Sequence, residues 1–503
     1  MYRTNILEYL EETALKLPRK MAFSDGVDSL TFGELQNRAK SVGSFLCKKG
    51  IYRRAVVVMM NKHPDTIAAF MGIIYAGCFY VCLDADMPQK RIELIFESIK
   101  PEAVIYDKKN ERHLSKLPEG AEKYLYNDIS STPANEAGLL SVRERQIDTD
   151  PIYIVFTSGS TGIPKGVAAC HRSVIDYTET LCEAIGFDEG AVFGNQTPLY
   201  FDAPLKEIMP TLKFGATTYF IPKQLFMFPV KLCEYLDEHK INTVCWVVSA
   251  LVMISSLGAL EKNAPKYLSR ICFGSEVFPI GEYEKWREAY PDAEFFNLYG
   301  PTEATGMSCY WKARELEDGE AIPIGKPFRN TEIMLIGEDG KIVKDGESGE
   351  IYIRGTCVTL GYFRNAEKTG EAFVQNPLND AYPEPVYKTG DLARKNERGE
   401  LVFLTRKDSQ IKHMGHRIEL GEVEAAAATC ESLTRACAVY HDEEKKIVLF
   451  YTGDASESDV ASHMRLLVPR YMLPANVIKL DVMPLTANGK LDRKGMKEMA
   501  KNL

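Results

Sequence analysis

Residues 153–166, with the sequence YIVFTSGSTGIPKG, contain the groups in this chain that are best suited to chemistry. An apolar, β-branched run gives way to Gly, Ser and Thr residues, and one lysine follows. This composition predicts a buried strand that brings backbone N–H groups, hydroxyls and an ammonium to a phosphate chain. We therefore expect a nucleotide triphosphate to bind here. The expected contacts are Thr157, Ser158, Gly159, Ser160, Thr161, Gly162 and Lys165.

The same loop permits two other interpretations. An ordinary flexible turn has a similar composition. A Walker loop of the kinase or motor type is disfavoured, because Pro164 stands where that pattern has its second glycine. Gly166 also stands where that pattern has a magnesium-binding hydroxyl.

A second group of chemical residues lies in the segment FNLYGPTEAT, residues 296–305. A strand ends at Tyr299, Gly300 and Pro301 force a turn, and Glu303 then presents a carboxylate. A carboxylate beside a phosphate loop suits Mg²⁺, which takes few protein ligands and keeps phosphate oxygens and water. A Gly-Pro turn with an acid is also common as a purely structural feature.

Two further polar groups follow in the last quarter of the chain. Asp391 ends a strand-to-turn segment, where a carboxylate can accept hydrogen bonds from ribose hydroxyls, and Arg406 lies one strand further on. Near the C-terminus, Asn488 and Gly489 predict a tight turn that presents Lys490. Taken alone, each could be a solvated turn or a surface cation.

The elements that position these residues follow an α/β pattern. Short β-rich runs alternate with helical patterns between about residues 30 and 300, which predicts parallel sheets covered by helices, with ligands beyond the carboxyl ends of the strands. Shorter strands with turn signals after residue 320 predict a β-rich subdomain. The last hundred residues predict a small α+β domain, and we place the boundary near Arg406 to Asp408.

The composition excludes several classes of protein. A chain of 503 residues with 45% hydrophobic and 26% charged residues is typical of a soluble globular protein rather than a short binding module. The net charge of −9 argues against a nucleic-acid or anionic-membrane surface. No apolar run is long enough to span a bilayer, and the twelve scattered cysteines favour buried thiols in a cytoplasmic protein.

Taken in order, these motifs resemble those of the adenylate-forming superfamily. They are most similar to the amino-acid adenylation domains of nonribosomal peptide synthetases and to the D-alanine:carrier-protein ligases. Further matching segments are LTFGEL at 30–35, AGCFYVCLD at 76–84, YFDAPLKE at 200–207 and GEIYIRG at 349–355. The resemblance covers nearly the whole chain.

The resemblance implies a two-step reaction. A substrate carboxylate attacks the α-phosphorus of ATP and releases pyrophosphate, and the acyl-adenylate is then transferred to the thiol of a phosphopantetheine arm. The loop at 157–166 would hold the β- and γ-phosphates, Glu303 would bind Mg²⁺, and Asp391 with Arg406 would bind the ribose. Asn297 and Tyr299 would contact the adenine, among nucleotide-binding positions that also include Leu298, Gly300, Pro301 and Thr302.

The resemblance also implies that the chain is divided into a core and a mobile C-terminal domain. Residues 1–406 would form the core that binds ATP and the amino acid, and residues 407–503 a domain that swings about Asp408. Lys490 would bridge the substrate carboxylate and the α-phosphate in the first step. In the second, Lys412 would help to form the pantetheine tunnel.

The resemblance implies an amino-acid substrate, because Asp202 stands where the family pairs a carboxylate with the substrate α-ammonium. Asp202 could also cap a helix that begins at Ala203. The pocket for the substrate side chain maps onto Ala203, Lys206, Trp246, Cys272, Gly274, Leu298, Gly306 and Met307. Lys206 favours an acidic or polar substrate side chain, unless it reaches solvent or pairs with Glu207 or another acid.

Several alternatives remain open from the sequence. A D-alanine:carrier-protein ligase shares the same motifs, although its pocket would be smaller. An acyl- or aryl-CoA ligase would have no use for Asp202, and a nucleotide-sensing module would be expected to have lost Lys490 or Glu303. The expected partners are an amino acid and a carrier protein, on a separate chain or a downstream domain, with no nucleic acid and no membrane.

Overall fold

The computed structural model describes residues 3–159, 162–486 and 491–501. Among these residues, no helix is both long and apolar enough to cross a membrane.

The first part of the chain alternates strands and helices. Its strands are β1 (Met21–Ser24), β2 (Ser29–Thr31), β3 (Ala55–Met59), β4 (Phe79–Cys82), β5 (Ala103–Tyr106), β6 (Glu122–Leu125), β7 (Pro151–Thr157) and β8 (Lys165–Cys170). Its helices are α1 (Leu7–Lys16), α2 (Phe32–Lys48), α3 (Pro64–Tyr75), α4 (Gln89–Ile99), α5 (Tyr126–Ile129), α6 (Glu136–Arg143) and α7 (His171–Ile185). Strands β3 to β8 form a six-stranded sheet in the order β6-β5-β3-β4-β7-β8, in which only β8 runs antiparallel to its neighbour.

The next part forms a second large sheet. Its strands are β9 (Val192–Asn195), β10 (Thr217–Phe220), β11 (Thr243–Val247), β12 (Arg270–Gly274), β13 (Glu294–Tyr299), β14 (Cys309–Lys312) and β15 (Lys326–Pro327). Its helices are α8 (Leu205–Phe214), α9 (Pro229–Glu238), α10 (Val248–Ser256), α11 (Ala259–Asn263) and α12 (Ile280–Ala289). The order is β15-β14-β13-β12-β11-β9-β10-β1-β2, parallel from β13 to β1 and antiparallel at both edges.

A β-rich subdomain follows the two large sheets. It contains β16 (Thr331–Ile336), β17 (Gly349–Gly355), β18 (Phe373–Gln375), β19 (Pro385–Lys395), β20 (Leu401–Arg406) and helix α13 (Ala366–Ala372). The strands pair antiparallel in the order β16-β17-β19-β18, and β20 pairs with β19.

The C-terminal part has its own small sheets. Its strands are β21 (Gln410–His413), β22 (His416–Glu419), β23 (Leu433–His441), β24 (Lys446–Gly453) and β25 (Asn476–Lys479), and its helices are α14 (Leu420–Ala428), α15 (Glu457–Met464) and α16 (Arg493–Ala500). Strands β21 and β22 form a hairpin, and β23, β24 and β25 form a separate sheet. The predicted α/β fold with a β-rich subdomain and a small α+β domain is confirmed. The last strand of the β-rich sheet ends at Arg406, where the sequence predicts the domain boundary.

The largest core lies between the two large sheets. Helices α1, α2, α3, α7 and α8 contribute many of its side chains, and strands of both sheets contribute others. Helix α2 begins with a capping box, in which the Thr31 hydroxyl accepts from the Glu34 N–H and the Glu34 carboxylate accepts from the Thr31 N–H. Two polar motifs directly follow strand ends: the Gly/Ser loop follows β7, and the segment that carries Glu303 follows β13.

Candidate functional site

The glycine- and serine-rich loop connects β7 to β8 and lies against the C-terminal part of the chain. The Ser158 hydroxyl donates to the carbonyl oxygen of Arg417 at 2.8 Å and accepts from the N–H of Glu419 at 3.2 Å. The Gly159 N–H donates to Glu422 Oε2 at 3.1 Å. A side-chain carboxylate thus occupies a backbone donor of the kind that a phosphate oxygen would use.

The rest of this loop is partly described. Ser160 and Thr161 lie outside the described residues, as does Lys490, so their predicted roles stay predictions. Gly162 adopts a φ of +81°, which favours glycine. The ammonium of Lys165 lies 5.1 Å from the centre of the Tyr362 ring, and burial lowers the pKa of this lysine, with a further contribution from nearby Arg417.

Glu303 is fully buried and hydrogen-bonded at both carboxylate oxygens. Oε1 accepts from the Tyr362 hydroxyl at 2.7 Å, and Oε2 accepts from Arg417 Nη1 at 2.7 Å. Burial alone would raise the pKa of Glu303, but the Arg417 guanidinium and the Tyr362 hydroxyl hold it below its usual value. The carboxylate is therefore ionised, as a metal ligand must be, and in this arrangement Arg417 provides the opposite charge.

The turn that precedes Glu303 requires glycine at one position. A Cβ on Gly300 would lie 2.5 Å from the Cα of Met307, so the chain can pass only without a side chain there. Pro301 and the short 3₁₀ helix Thr302–Ala304 follow and turn Glu303 inward. Upstream, Asn297 donates its side-chain N–H to the carbonyl oxygen of Pro323 at 2.8 Å.

Asp391 connects the predicted nucleotide site to the predicted hinge. It accepts from the Tyr299 hydroxyl at 2.5 Å and forms a salt bridge with Arg406. Arg406 also donates to both oxygens of Asp408, at 2.7 and 2.8 Å. The structure thus brings together four residues that the sequence assigned separately to adenine, ribose and hinge.

Lys412 lies on the β21–β22 hairpin and reaches the same place. Its ammonium is 5.5 Å from the centre of the Tyr299 ring, and burial lowers the pKa of this lysine. The hairpin is held by the Gly415 N–H, which donates to Glu276 Oε1 at 3.1 Å. In this structure, the segment 409–417 therefore faces the predicted nucleotide site around Tyr299.

Asp202 lies close enough to Glu303 for the two carboxylates to repel each other, and it also lies beside Gly306. A Cβ on Gly306, whose φ is +92°, would lie 3.8 Å from both Asp202 Oδ2 and the hydroxyl of Tyr177, so the absent side chain leaves room there. Burial raises the pKa of Asp202, although a hydrogen bond from the Thr302 side chain opposes this. Within the described parts of the chain, no cationic group lies within 4 Å of this carboxylate.

The alternative role of Asp202 as a helix cap is wrong. Helix α8 begins at Leu205 rather than Ala203, and its N-cap is Pro204, without a side-chain cap hydrogen bond. The Asp202 carboxylate therefore does not cap helix α8.

One predicted pocket residue lies on the wrong face of the sheet. Trp246 packs against Phe226 in a second core, and its indole N–H donates to the Gly194 carbonyl at 2.6 Å. Its neighbour Cys245 faces helix α8 instead and pairs in register with Cys272 on β12. Because side chains alternate along a strand, Cys245 takes the place predicted for Trp246.

The other predicted pocket positions are on the α8 side. Cys272, Leu298 and Met307 belong to the same core as helix α8, and Lys206 is buried on its first turn. Ala203 lies in the turn before the helix. A Cβ on Gly274 would lie 2.2 Å from the carbonyl oxygen of Leu298, so close strand packing, rather than substrate size, requires this glycine.

The sequence interpretation missed several residues that the structure brings to the site. Tyr362 and Arg417 donate to Glu303, and Glu419 and Glu422 contact the loop. Arg91 reaches the loop only through its ion pair with Glu422. A signal existed for the acids and for Arg417, because they belong to the charged run HRIELGE, residues 416–422, which closely follows Lys412. No local pattern marks Arg91 or Tyr362, whose partners are distant in sequence.

The comparisons with known proteins identify the family. A sequence model described as "AMP-binding enzyme" matches residues 10–363. This chain belongs to the AMP-binding enzyme family. The resemblance to adenylate-forming enzymes is confirmed, and so is the prediction that this AMP-binding protein is an enzyme.

The AMP-binding relatives include very long proteins. Bacitracin synthase 1 of Bacillus licheniformis is 31% identical over 98% of this chain, which covers 9% of that protein. Tyrocidine synthase 3 of Brevibacillus parabrevis is 30% identical over 97% of this chain, which covers 8% of it. The chain therefore spans less than a tenth of the length of these two relatives.

Solved structures share the fold along the whole chain. Holo-PA1221, described as a protein with adenylation and PCP domains, aligns with a TM-score of 0.84 at 23% identity, over 98% of this chain and 84% of that one. IdnL1 aligns with a TM-score of 0.81 at 26% identity, over 95% of this chain and 99% of that one.

Proposed function

We propose that this protein activates an amino acid with ATP and passes it to a carrier protein. The amino-acid carboxylate would attack the α-phosphorus, pyrophosphate would leave, and the aminoacyl group would then move from AMP to a phosphopantetheine thiol. The names of the relatives support this proposal, because they are peptide synthases. The description of holo-PA1221 supports a carrier partner, because it names a PCP domain beside the adenylation domain.

The observation that carries the proposal is the Asp202 carboxylate. It is a partly buried carboxylate without a cation within 4 Å in the described structure. Burying an unpaired carboxylate is costly, and a substrate α-ammonium would remove that cost. An acyl- or aryl-CoA ligase would bind no ammonium and would gain nothing from this charge. We therefore favour an amino acid over that alternative.

The groups around Glu303 suit the other reactant. Backbone N–H groups of the Gly/Ser loop and the Lys165 ammonium suit the phosphates, and Asp391 suits the ribose hydroxyls. Glu303 fits a magnesium ion as a single ionised carboxylate ligand, provided that Arg417 withdraws from it. When bound, the ion would neutralise phosphate charge beside the reacting phosphorus.

The two half-reactions would use two arrangements of the chain. In the described arrangement Lys412 and Arg417 face the site, which suits the transfer step. For adenylation, the segment from 407 to 503 would turn about Asp408, remove Arg417 from Glu303 and bring in Lys490. A cation at the α-phosphate would then stabilise the charge that develops during attack.

D-alanine:carrier-protein ligation stays a second candidate, because it needs the same ammonium contact at Asp202. It would be favoured only by activity with D-alanine alone. The cytoplasm, where ATP is available, is the proposed location.

Amino-acid-dependent ATP–pyrophosphate exchange tests the proposal. The panel should contain all L- and D-amino acids together with aryl and fatty acids. We expect exchange with at least one amino acid, and Lys490→Ala should abolish exchange while it retains ATP binding. Exchange with an aryl or fatty acid and with no amino acid would contradict the proposal, as would unchanged exchange in Lys490→Ala.

A further inference from the structure

His416 begins strand β22 and contacts two aromatic rings that lie far from it in sequence. Its imidazole stacks on the ring of Tyr471, with 3.7 Å between the ring centres and 7° between the ring planes. The ring of Phe201 also lies against the imidazole, with 5.2 Å between the centres and the planes inclined by 63°. Stacked and inclined arrangements are the two favourable geometries of aromatic pairs. We call Phe201, His416 and Tyr471 the ring stack.

The ring stack joins three segments of the chain. Phe201 directly precedes Asp202, the carboxylate proposed to bind the substrate ammonium. His416 belongs to the β21–β22 hairpin, which also carries Lys412. Tyr471 lies on a short 3₁₀ helix further along the C-terminal part. The ring stack therefore connects the segment that carries Asp202 to the hairpin that faces the nucleotide site.

His416 contributes a ring rather than a charge. Its Nδ1 atom is buried and has no hydrogen-bond partner in the part of the chain that the structure describes. Burial lowers the pKa of His416 to about 4, and the nearby His413 and Lys223 act in the same direction. The imidazole is therefore neutral at pH 7. Because it is neutral and its Nδ1 atom is unpartnered, we attribute its effect on the hairpin to the ring contacts.

The two ring contacts of His416 differ in how they would respond to rotation about Asp408. His416 and Tyr471 both follow Asp408, so their stacking would persist in either arrangement of the chain. Phe201 precedes Asp408, so its contact with His416 exists in the described arrangement and would break when the C-terminal part turns. A contact that is made in one arrangement stabilises that arrangement relative to the other.

We propose that His416 is a positioning residue for aminoacyl transfer, whose ring is held by Tyr471 and docks the β21–β22 hairpin against Phe201. This inference rests on the proposed function. The ring contact favours the arrangement in which Lys412 faces the nucleotide site, and that arrangement is the one proposed for transfer. The contact is absent from the arrangement proposed for adenylation, so it does not contribute to the first half-reaction.

Three substitutions separate the ring of His416 from its nitrogen atoms. His416→Phe keeps a ring of similar size, His416→Gln keeps polar atoms without a ring, and His416→Ala removes both. We expect His416→Ala and His416→Gln to lower aminoacyl transfer to a phosphopantetheinylated carrier about tenfold, as for the loss of an aromatic pair. His416→Phe should keep transfer within about threefold of the wild type, because the ring contacts remain. ATP–pyrophosphate exchange should change less than about twofold in all three variants.

Amide hydrogen exchange supplies a readout that does not depend on activity. In His416→Ala, the amides of residues 409–417 should exchange at least about threefold faster than in the wild type, because the hairpin loses a contact that holds it on the core. In His416→Phe, the amide hydrogen exchange of the same residues should match that of the wild type.

Two further variants serve as a partner and a control. Tyr471→Ala should also lower transfer, and the double variant should be no slower than His416→Ala alone, because both substitutions act through the same contact with the core. His463→Ala is the control, since this histidine lies on α15 and its Nε2 atom is 2.8 Å from the Thr429 hydroxyl oxygen. Transfer and amide hydrogen exchange of the hairpin should be those of the wild type in His463→Ala.

The outcomes separate this inference from the proposed function. Unchanged transfer in His416→Ala would overturn the inference, and so would equal losses of transfer and of ATP–pyrophosphate exchange, which would show a general structural role. A loss of transfer in His416→Phe as large as in His416→Ala would show that the imidazole nitrogens are required, and would also overturn it. If no amino acid supports ATP–pyrophosphate exchange, the proposed function fails, and unchanged amide hydrogen exchange in His416→Ala would then overturn the docking contact as well.

Discussion

Arg91 of α4 and Glu422 of α14 form a buried ion pair that joins two parts of the chain 331 residues apart. The side chains are 5% and 3% exposed. Glu422 also accepts the Gly159 N–H at 3.1 Å, so one carboxylate connects a helix, the Gly/Ser loop and the C-terminal part. This contact can exist only while α14 lies against the loop.

Glu422→Gln should therefore weaken the transfer step more than adenylation. The substitution removes an anion from the loop and leaves Arg91 buried without its partner, a change that typically costs about 3 kcal/mol. We expect aminoacyl transfer to a phosphopantetheinylated carrier to fall at least tenfold, while ATP–pyrophosphate exchange changes little. Glu424→Gln on the same helix removes a pair with Arg493 and should spare both steps. Equal losses in both steps would contradict this interpretation.

Arg417→Met should lower the magnesium concentration needed for exchange. Arg417 and a metal ion would compete for Glu303, since Arg417 Nη1 already lies 2.7 Å from Oε2. A magnesium titration of exchange checks the prediction, with the surface variant Arg398→Met as control. An unchanged magnesium requirement in Arg417→Met would show that Arg417 and the metal ion do not compete for Glu303.

Asp391→Asn should weaken ATP binding. Asp391 accepts from the Tyr299 hydroxyl at 2.5 Å and pairs with Arg406. Asparagine at this position would remove the negative charge beside the Arg406 guanidinium. It would also remove one of the carboxylate oxygens proposed to accept hydrogen bonds from the ribose. We expect the KM for ATP to rise about tenfold or more. A smaller effect on ATP than on the amino acid would place Asp391 outside the nucleotide site.

His171 should make the fold sensitive to acid. It is buried at the start of α7 and accepts from the Ile6 N–H at 3.2 Å. Burial lowers the pKa of His171 to about 3, below its ordinary value near 6.5. The unfolded chain therefore binds one more proton between these values, and the free energy of unfolding should fall as pH drops below 6.5, by up to about 1.4 kcal/mol per unit.

Denaturant unfolding at several pH values measures this slope. Asparagine at position 171 cannot gain that proton. In His171→Asn, the free energy of unfolding should therefore depend less steeply on pH over the same range, by up to the equivalent of one bound proton. His463→Asn, at a partly exposed position of α15, is the control. A slope unchanged by His171→Asn would contradict the prediction.

The sequence predicted the elements of this site better than their contacts. The alternation of strands and helices follows from local composition, and the strands predicted before the Gly/Ser loop and before Gly300 are present as β7 and β13. Trp246 was misplaced because a one-residue error along a strand moves a side chain to the opposite face. The pairs Arg91–Glu422 and Arg417–Glu303 join segments that are distant in sequence, so no local pattern predicts them.

The central claim is that Asp202 recognises the α-ammonium of an amino-acid substrate. The most direct test compares exchange with the best amino acid and with the same acid lacking its amino group, in the wild type and in Asp202→Asn. In the wild type, we predict that kcat/KM is at least 100-fold lower for the acid without the amino group than for the amino acid. In Asp202→Asn, we predict that kcat/KM is similar for the two acids. Equal activity of the two acids in the wild type would contradict the account.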